Sequence, residues 1–245
     1  YVARTYGVRS ALPTSKALKL CPHLVIIRPH FDKYKKMSDK VFNIFLQFTN
    51  KIQKVSIDEA YLDVTDTDLF NNNAIEIAKE IKRRIFLETK LTASAGVSYN
   101  KLLAKIGSDL FKPDGLAIIR PENIEQNISH FSVSKINGVG KVLQKKLEKY
   151  SLRTFGDLQN LSKLDLINIC GEYGVNLYYY CRGVDHREVI TSSIRKSLSV
   201  EKTFSQSVLD TTDLKIKIDH LYSELTQRLS KYEKMRVKSI FVKIK

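Results

Sequence analysis

Two adjacent carboxylates, Asp58 and Glu59, stand in the stretch Val55-Ser56-Ile57-Asp58-Glu59-Ala60-Tyr61-Leu62-Asp63-Val64-Thr65, between short runs of strand-forming residues. Neighbouring side chains of an extended strand point to opposite faces. The pair can therefore share a site only where the chain bends, at a strand end or a hairpin tip. Held together there, the two carboxylates repel unless a positive charge joins them. A divalent cation is the usual remedy, and Mg²⁺ favours one or two protein carboxylates together with substrate phosphates. A solvated acidic turn is the competing reading of these two residues taken alone.

Charge points to a polyanionic partner. The 245 residues carry 41 Lys and Arg against 26 Asp and Glu, a net charge of +15. Nucleic acid is the leading candidate for such a surface, ahead of a ribosome or an anionic membrane. A lysine-rich composition inherited from an A/T-rich genome would give the same count. The 3 cysteines are too widely spaced for a disulfide framework or a zinc pattern, and Cys170 and Cys181 read as core thiols of a reduced, cytoplasmic protein. The 5 histidines show no ligand spacing. No apolar run is long enough to span a bilayer, and the opening residues do not read as a signal peptide.

The elements that must position the carboxylates follow from periodicity and from breakers. Gly7 stops a first short helix, Pro13 opens a second over 14–20, and Pro22 prevents its continuation. Residues 24–28 form an apolar strand candidate. Apolar residues recur at helical spacing from Phe31 to Phe48, so these aromatics belong to a core. Strands are expected at 55–57 and 61–65. Asn73 caps a helix over 74–88, and a buried strand is expected at 91–98, with Gly96 allowing close backbone approach. A helix at 101–110 and a strand at 116–119 follow. Strands alternating with long helices argue for a layered α/β arrangement.

Beyond Pro121 short helices take over, at 141–150, 155–158, 163–169 and 175–181. Ile136-Asn137-Gly138-Val139-Gly140 followed by a lysine-bearing helix reads as a helix-hairpin-helix. Its glycines let the backbone approach a phosphate, and the helix amides point toward it. Lys141 and Lys145 add charge on that helix. Residues 185–193 are polar and read as a linker. Alternation predicts strands at 194–204 and 237–244, flanking an amphipathic helix at 214–229.

Together these residues resemble the Y-family (translesion) DNA polymerases, most closely their bacterial DNA polymerase IV type, over nearly the whole chain and in order. Ser56-Ile57-Asp58-Glu59-Ala60-Tyr61-Leu62-Asp63 resembles the central palm motif. Tyr1-Val2-Ala3-Arg4 and Gly7-Val8-Arg9-Ser10 resemble the fingers segment that grips the incoming nucleotide. Asn100-Lys101-Leu102-Leu103-Ala104-Lys105, with Lys112-Pro113-Asp114-Gly115, resembles the palm helix and loop beside the triphosphate. The resemblance implies an α/β (α+β) palm with fingers, a small all-α helix-hairpin-helix thumb and a partial α/β little finger. Its divisions are fingers at 1–29, palm at 30–119, thumb at 120–186, linker at 187–193 and little finger at 194–245.

The activity so implied is template-directed DNA synthesis past damaged bases by two-metal nucleotidyl transfer. Primer-template DNA, deoxynucleoside triphosphates and two Mg²⁺ ions are the expected partners. Asp58 would be a metal ligand, and Glu59 would sit by the primer-side metal and the 3′-hydroxyl. Tyr1, Arg4 and Lys112 would neutralise the triphosphate. Gly138, Gly140, Lys141 and Lys145 of the thumb, Lys101 and Lys105 of the palm, and Arg195 and Lys196 of the little finger would contact DNA or its phosphates. Asp63 and Asp66 read as structural. In this family the first catalytic aspartate and the steric gate lie on a strand upstream of the Tyr1 segment. The chain is therefore expected to be a truncated piece with two of the three carboxylates. The rest of the little finger, and the tail that binds a sliding clamp, would follow Lys245. A non-catalytic DNA-binding fragment of the same family is the alternative, and a different metal nuclease or transferase fits the motif order poorly.

Overall fold

Local capping sets most helix boundaries. The computed structural model describes residues 1–192, 195–204, 206–208, 210–232 and 235–244. Its first helices are α1 (Val2–Thr5), α2 (Thr14–Leu20) and α3 (Phe31–Leu46). Next come β1 (Ile52–Lys54), β2 (Ala60–Leu62) and α4 (Ala74–Thr89), where the Asn73 side chain accepts from the Ile75 and Glu76 amides as expected of an N-cap. Then come β3 (Ala95–Val97), α5 (Lys101–Leu110) and β4 (Leu116–Ile118).

The strands form two small sheets. β1 and β2 pair antiparallel, from Ile52 opposite Leu62 to Lys54 opposite Ala60. β3 and β4 pair parallel across the α5 crossover, from Ala95 opposite Leu116 to Val97 opposite Ile118. The first expected strand is thus displaced upstream. Residues 55–57, despite their strand-forming side chains, belong to the loop 55–59, whose Glu59 carbonyl accepts from the amides of Val55 (3.0 Å) and Ser56 (3.2 Å). Closing the hairpin takes precedence over β propensity there. The strand expected at 24–28 is absent: Val25 and Ile27 are 80% and 76% exposed and lie in no ladder.

Two cores carry the fold. Ile44 and Phe48, in and just after α3, pack on Ile77, Ile81 and Ile85 of α4, with Leu62 of β2 against them. A larger core joins Leu102, Leu103 and Ile106 of α5 to the helical region that follows. That region comprises α6 (Ile124–Ile128), α7 (Lys141–Glu148), α8 (Phe155–Gln159), α9 (Lys163–Cys170) and α10 (Tyr173–Tyr180). Thr154 with Asp157 and Ser162 with Asp165 form capping boxes at α8 and α9. Residues 1–191 consequently form one compact unit. Cys170 and Cys181 are free thiols within it, and burial pushes Cys181 up to about 11. Among the described residues no helix is long and apolar enough to cross a membrane.

Residues 192–245 form a second unit, built on α11 (Thr211–Leu229) with Asp210 as N-cap. The strands expected at 194–204 and 237–244 are not formed by the described residues. Phe241 and Ile240 are 87% and 61% exposed, because two strands and one helix cannot bury a face of their own. Ile194, which the first of those strands includes, lies outside the described residues.

The expected linker also needs correction. Asp185 is buried, Arg187 pairs with it, and the 183–190 segment is hydrogen-bonded into the first unit. Of its polar side chains Asp185 is turned into the protein, whereas His186, Arg187 and Glu188 stay exposed.

Candidate functional site

The β1–β2 hairpin puts Asp58 at its tip and Glu59 at the entry to β2, the bend that a shared site requires. Asp58 is exposed, and its carboxylate accepts from the Ser56 hydroxyl at 2.5 Å. It makes no ion pair among the described residues. Glu59 is held: its Oε1 lies 2.6 Å from the Lys105 ammonium on α5.

From Lys105 the charges alternate along and past α5. Lys105 lies 3.7 Å from Asp109, and Asp109 lies 2.5 Å from Lys112. Spacings of i, i+4 and i, i+3 place these residues on one helical line. Partial burial works to lower the Lys105 pKa, but the bond to Glu59 and the Asp109 charge prevail and raise it. Burial likewise pushes Asp109 up, and the two lysines more than offset this, holding it below the usual aspartate value. Lys105 and Asp109 therefore stay charged near neutrality. It fixes Glu59 and leaves Asp58 open.

This donor set suits a Mg²⁺ ion shared with a phosphate-bearing substrate: two neighbouring carboxylates, one without a cationic partner. Among the described residues no group of three or more His, Cys, Asp and Glu side chains gathers to hold a metal by itself. Asp63 and Asp66 pair with Lys51 on the opposite end of the hairpin, a structural role in agreement with the sequence reading.

The other expected site residues fall into three places. Tyr1 and Arg4 are exposed and stack on each other, with the guanidinium 4.6 Å from the ring centroid. No hydrogen bond or ion pair joins them to the hairpin among the described residues. Lys101 is only 8% exposed, and its ammonium donates to Gln53 Oε1 (2.6 Å) and the Glu188 carbonyl (3.0 Å). In the second unit Arg195 stacks on Tyr232 and Lys196 is exposed.

The glycine hairpin before α7 has the shape its sequence suggests. Ile136 and Val139 are buried anchors, while Asn137, Gly138 and Gly140 face outward. Gly138 has φ +103°, and a Cβ there would lie 2.4 Å from the Tyr173 hydroxyl, which donates to the Asn137 carbonyl at 2.6 Å. Around Gly140 nothing lies within 4 Å of an added Cβ, so its surface is open to a ligand. The Gln144 amide bonds the Gly140 carbonyl, and the amides ahead of it at the start of α7 are left for an anion. Lys141 and Lys145 flank them, both exposed.

Sequence reasoning missed Asp185, Arg187 and Gln53. Asp185 lies at the N-terminus of α5, accepting from the Leu102 amide at 2.9 Å and from both ends of the Arg187 guanidinium at 2.8 Å. An Asp-x-Arg pair after the last thumb helix was the available signal. Burial would raise the Asp185 pKa, but these bonds and the Arg187 charge hold it below the aspartate range. A depressed carboxylate contributes stability above its unfolded value and loses it as pH falls through the folded one. Thermal unfolding across pH should therefore show wild type losing its advantage over Asp185→Asn once the pH drops below about 4. A gap independent of pH would refute this.

Residues 1–109 match the impB/mucB/samB family, residues 134–185 the thumb domain of DNA polymerase-iota, and residues 195–245 the C-terminal domain of the impB/mucB/samB family. DNA polymerase IV of Francisella tularensis subsp. novicida (strain U112) is 46% identical over 243 residues, covering 99% of this chain and 70% of that protein. DNA polymerase IV of Ectopseudomonas mendocina (strain ymp) is 44% identical over 246 residues, again covering 70% of that protein. Among solved structures, DinB from Sulfolobus solfataricus superposes with a TM-score of 0.69 at 31% identity, over 76% of this chain and 55% of that one. A Y-family DNA polymerase chimera of Dbh and Dpo4 does so with a TM-score of 0.83 at 29% identity, over 92% and 66%. With identity of this extent joined to a carboxylate hairpin braced by a basic palm helix, the chain belongs to the DNA polymerase IV group of the Y-family DNA polymerases.

Proposed function

We propose that this chain is the nucleotide- and DNA-handling part of an enzyme that copies a template past damaged bases, with low fidelity, in the cytoplasm. The observation that carries the reading is the hairpin tip, where Asp58 has no cationic partner among the described residues and Glu59 is braced by Lys105. One similar solved structure is an insertion ternary complex of Dbh DNA polymerase, 33% identical with a TM-score of 0.66. When bound, divalent ions would lower the pKa of a primer hydroxyl and neutralise the leaving pyrophosphate. Asp58, with Glu59, would hold such an ion. Lys105 orients Glu59 and limits repulsion between the carboxylates. Lys112, Arg4 and Tyr1 would offer charge and hydrogen bonds to a triphosphate, arginine being suited to bidentate grip. The Gly138–Gly140 hairpin, Lys141 and Lys145 would hold duplex backbone without reading bases, with Arg195 and Lys196 adding charge from the second unit.

The test is Mg²⁺-dependent primer extension by this chain and by a version preceded by the family's first palm strand. Extension by the longer version is expected, and failure of both would refute the polymerase reading in favour of a DNA-binding fragment. DNA affinity should fall steeply with salt and vary little with sequence. Removing Lys141 and Lys145 together should lower the slope of log K against log salt by about 2. An unchanged slope would take the thumb hairpin out of the interface.

A further inference from the structure

The segment that leaves the helical region does not simply pass over the palm. Gly183 O accepts from Tyr99 Oη (3.1 Å) and Asn100 Nδ2 (2.7 Å) at the start of α5. The Asp185 side chain is 0% exposed and takes the Leu102 amide beside the Asn100 cap on Leu103. Arg187 closes over that carboxylate as a two-pronged fork and lies 5.3 Å from the Tyr180 ring. Farther along, the Glu188 carbonyl and Gln53 Oε1 share the Lys101 ammonium, and the Ile190 amide donates to the same Gln53 oxygen at 3.2 Å. Gln53 lies in β1, paired with Tyr61 in the hairpin that ends in Asp58 and Glu59. Lys105, one turn after Lys101, holds Glu59.

We infer that Asp185, Arg187, Lys101 and Gln53 form a latch that positions the carboxylate hairpin against α5. Charged side chains are rarely buried unless paired. Here the buried carboxylate meets the partial positive charge of a helix N-terminus, and the buried ammonium is satisfied by two carbonyl-type oxygens. Apart from the local Arg187–Asp185 fork, these bonds span elements far apart in the chain, so the latch ties the exit of the helical region, the start of α5 and strand β1 of the hairpin into one frame. Two hydrogen-bonded ties then join the hairpin to α5: Gln53 of β1 through Lys101, and the Glu59–Lys105 pair near the tip. Loosening the first leaves the second as the hydrogen-bonded tie between the loop and α5. These are positioning residues that act through Glu59 and Lys105 and touch no substrate.

The inference rests on the reading of Asp58 and Glu59 as the metal-holding pair, yet its test needs no catalysis. Hydrogen exchange would be followed at the Val55 and Ser56 amides, which bond Glu59 O, and at Leu102, with Leu166 and Cys181 as controls in the helical core. Asp185→Asn and Gln53→Leu should each speed exchange at Val55 and Ser56 by about tenfold or more, with the controls unchanged. Gln53→Glu, which keeps an oxygen for Lys101 and Ile190, should stay near wild type. Acceleration confined to Leu102 in Asp185→Asn, or spread equally over the controls, would overturn the latch. Failure of primer extension by both this chain and the longer version would instead refute the polymerase reading and leave the exchange result standing.

Discussion

Exchanging Asp58 for asparagine should slow primer extension by about 10²- to 10³-fold, the scale on which removal of one electrostatic group from a reaction centre acts. The change keeps size and leaves an amide oxygen to accept from the Ser56 hydroxyl, so the hairpin stays formed. Unfolding should move by no more than about 0.5 kcal/mol, as for surface substitutions generally. What is lost is the one negative charge of the pair that no lysine already occupies. Glu59→Gln makes the informative contrast. It removes charge and leaves Lys105 with Asp109 in place of two carboxylate partners, so both rate and stability should fall. Asp63→Asn, on a carboxylate bonded to Thr65 and near Lys51, should leave the rate unchanged. Single-turnover insertion with Mg²⁺ separates the three. Equal rates for Asp58→Asn and wild type would remove Asp58 from the site.

The largest structural effect is expected at Gly96. A Cβ there would stand 2.0 Å from the Ala104 carbonyl and 2.5 Å from the Ser108 amide, both backbone atoms of α5. Neither can rotate away, so Gly96→Ala must push the helix off β3. Overpacking of this kind costs about 3 kcal/mol, which for a unit of this size lowers the melting temperature by roughly 10 °C. Ala104 adjoins Lys105, so the same displacement should loosen Glu59 and depress insertion even at temperatures where the variant is folded. Gly140→Ala is the counterpart. With nothing near its added Cβ, it should leave melting unchanged and weaken only DNA binding. A Gly96→Ala protein that melts with wild type would contradict the packing described for β3 and α5.

Much of this was legible in the residues. The helices at 14–20, 74–89, 101–110 and 211–229 announce themselves through caps and apolar spacing, and the structure places them within a few residues of those signals. Asp58 and Glu59 could be singled out because adjacent carboxylates in a strand context demand a bend. What could not be read was tertiary. Val55 and Ile57 have strand propensity, but the Glu59 carbonyl recruits Val55 and Ser56 into the turn. Val25 to Ile27 and Val237 to Val242 alternate or cluster like strands, yet a strand exists only where a partner offers a ladder. Lys101 looks like any palm lysine until Gln53 and Glu188, distant in sequence, converge on it. Asp185 sits in a polar run that composition assigns to solvent, and only the free amides at the start of α5 and the Arg187 fork explain why it is buried. Local chemistry is written in spacing, whereas pairing across long separations is not.

The most direct measurement is of metal at the hairpin. Mn²⁺, a paramagnetic substitute for Mg²⁺, would be titrated into the chain with a deoxynucleoside triphosphate present, and bound ion followed by electron paramagnetic resonance. Asp58→Asn should weaken binding to the chain by about tenfold or more, the scale of losing a group that orients or ligates a metal, while Asp63→Asn should bind as wild type. Binding that is indifferent to Asp58 but lost with Asp63 would contradict the account.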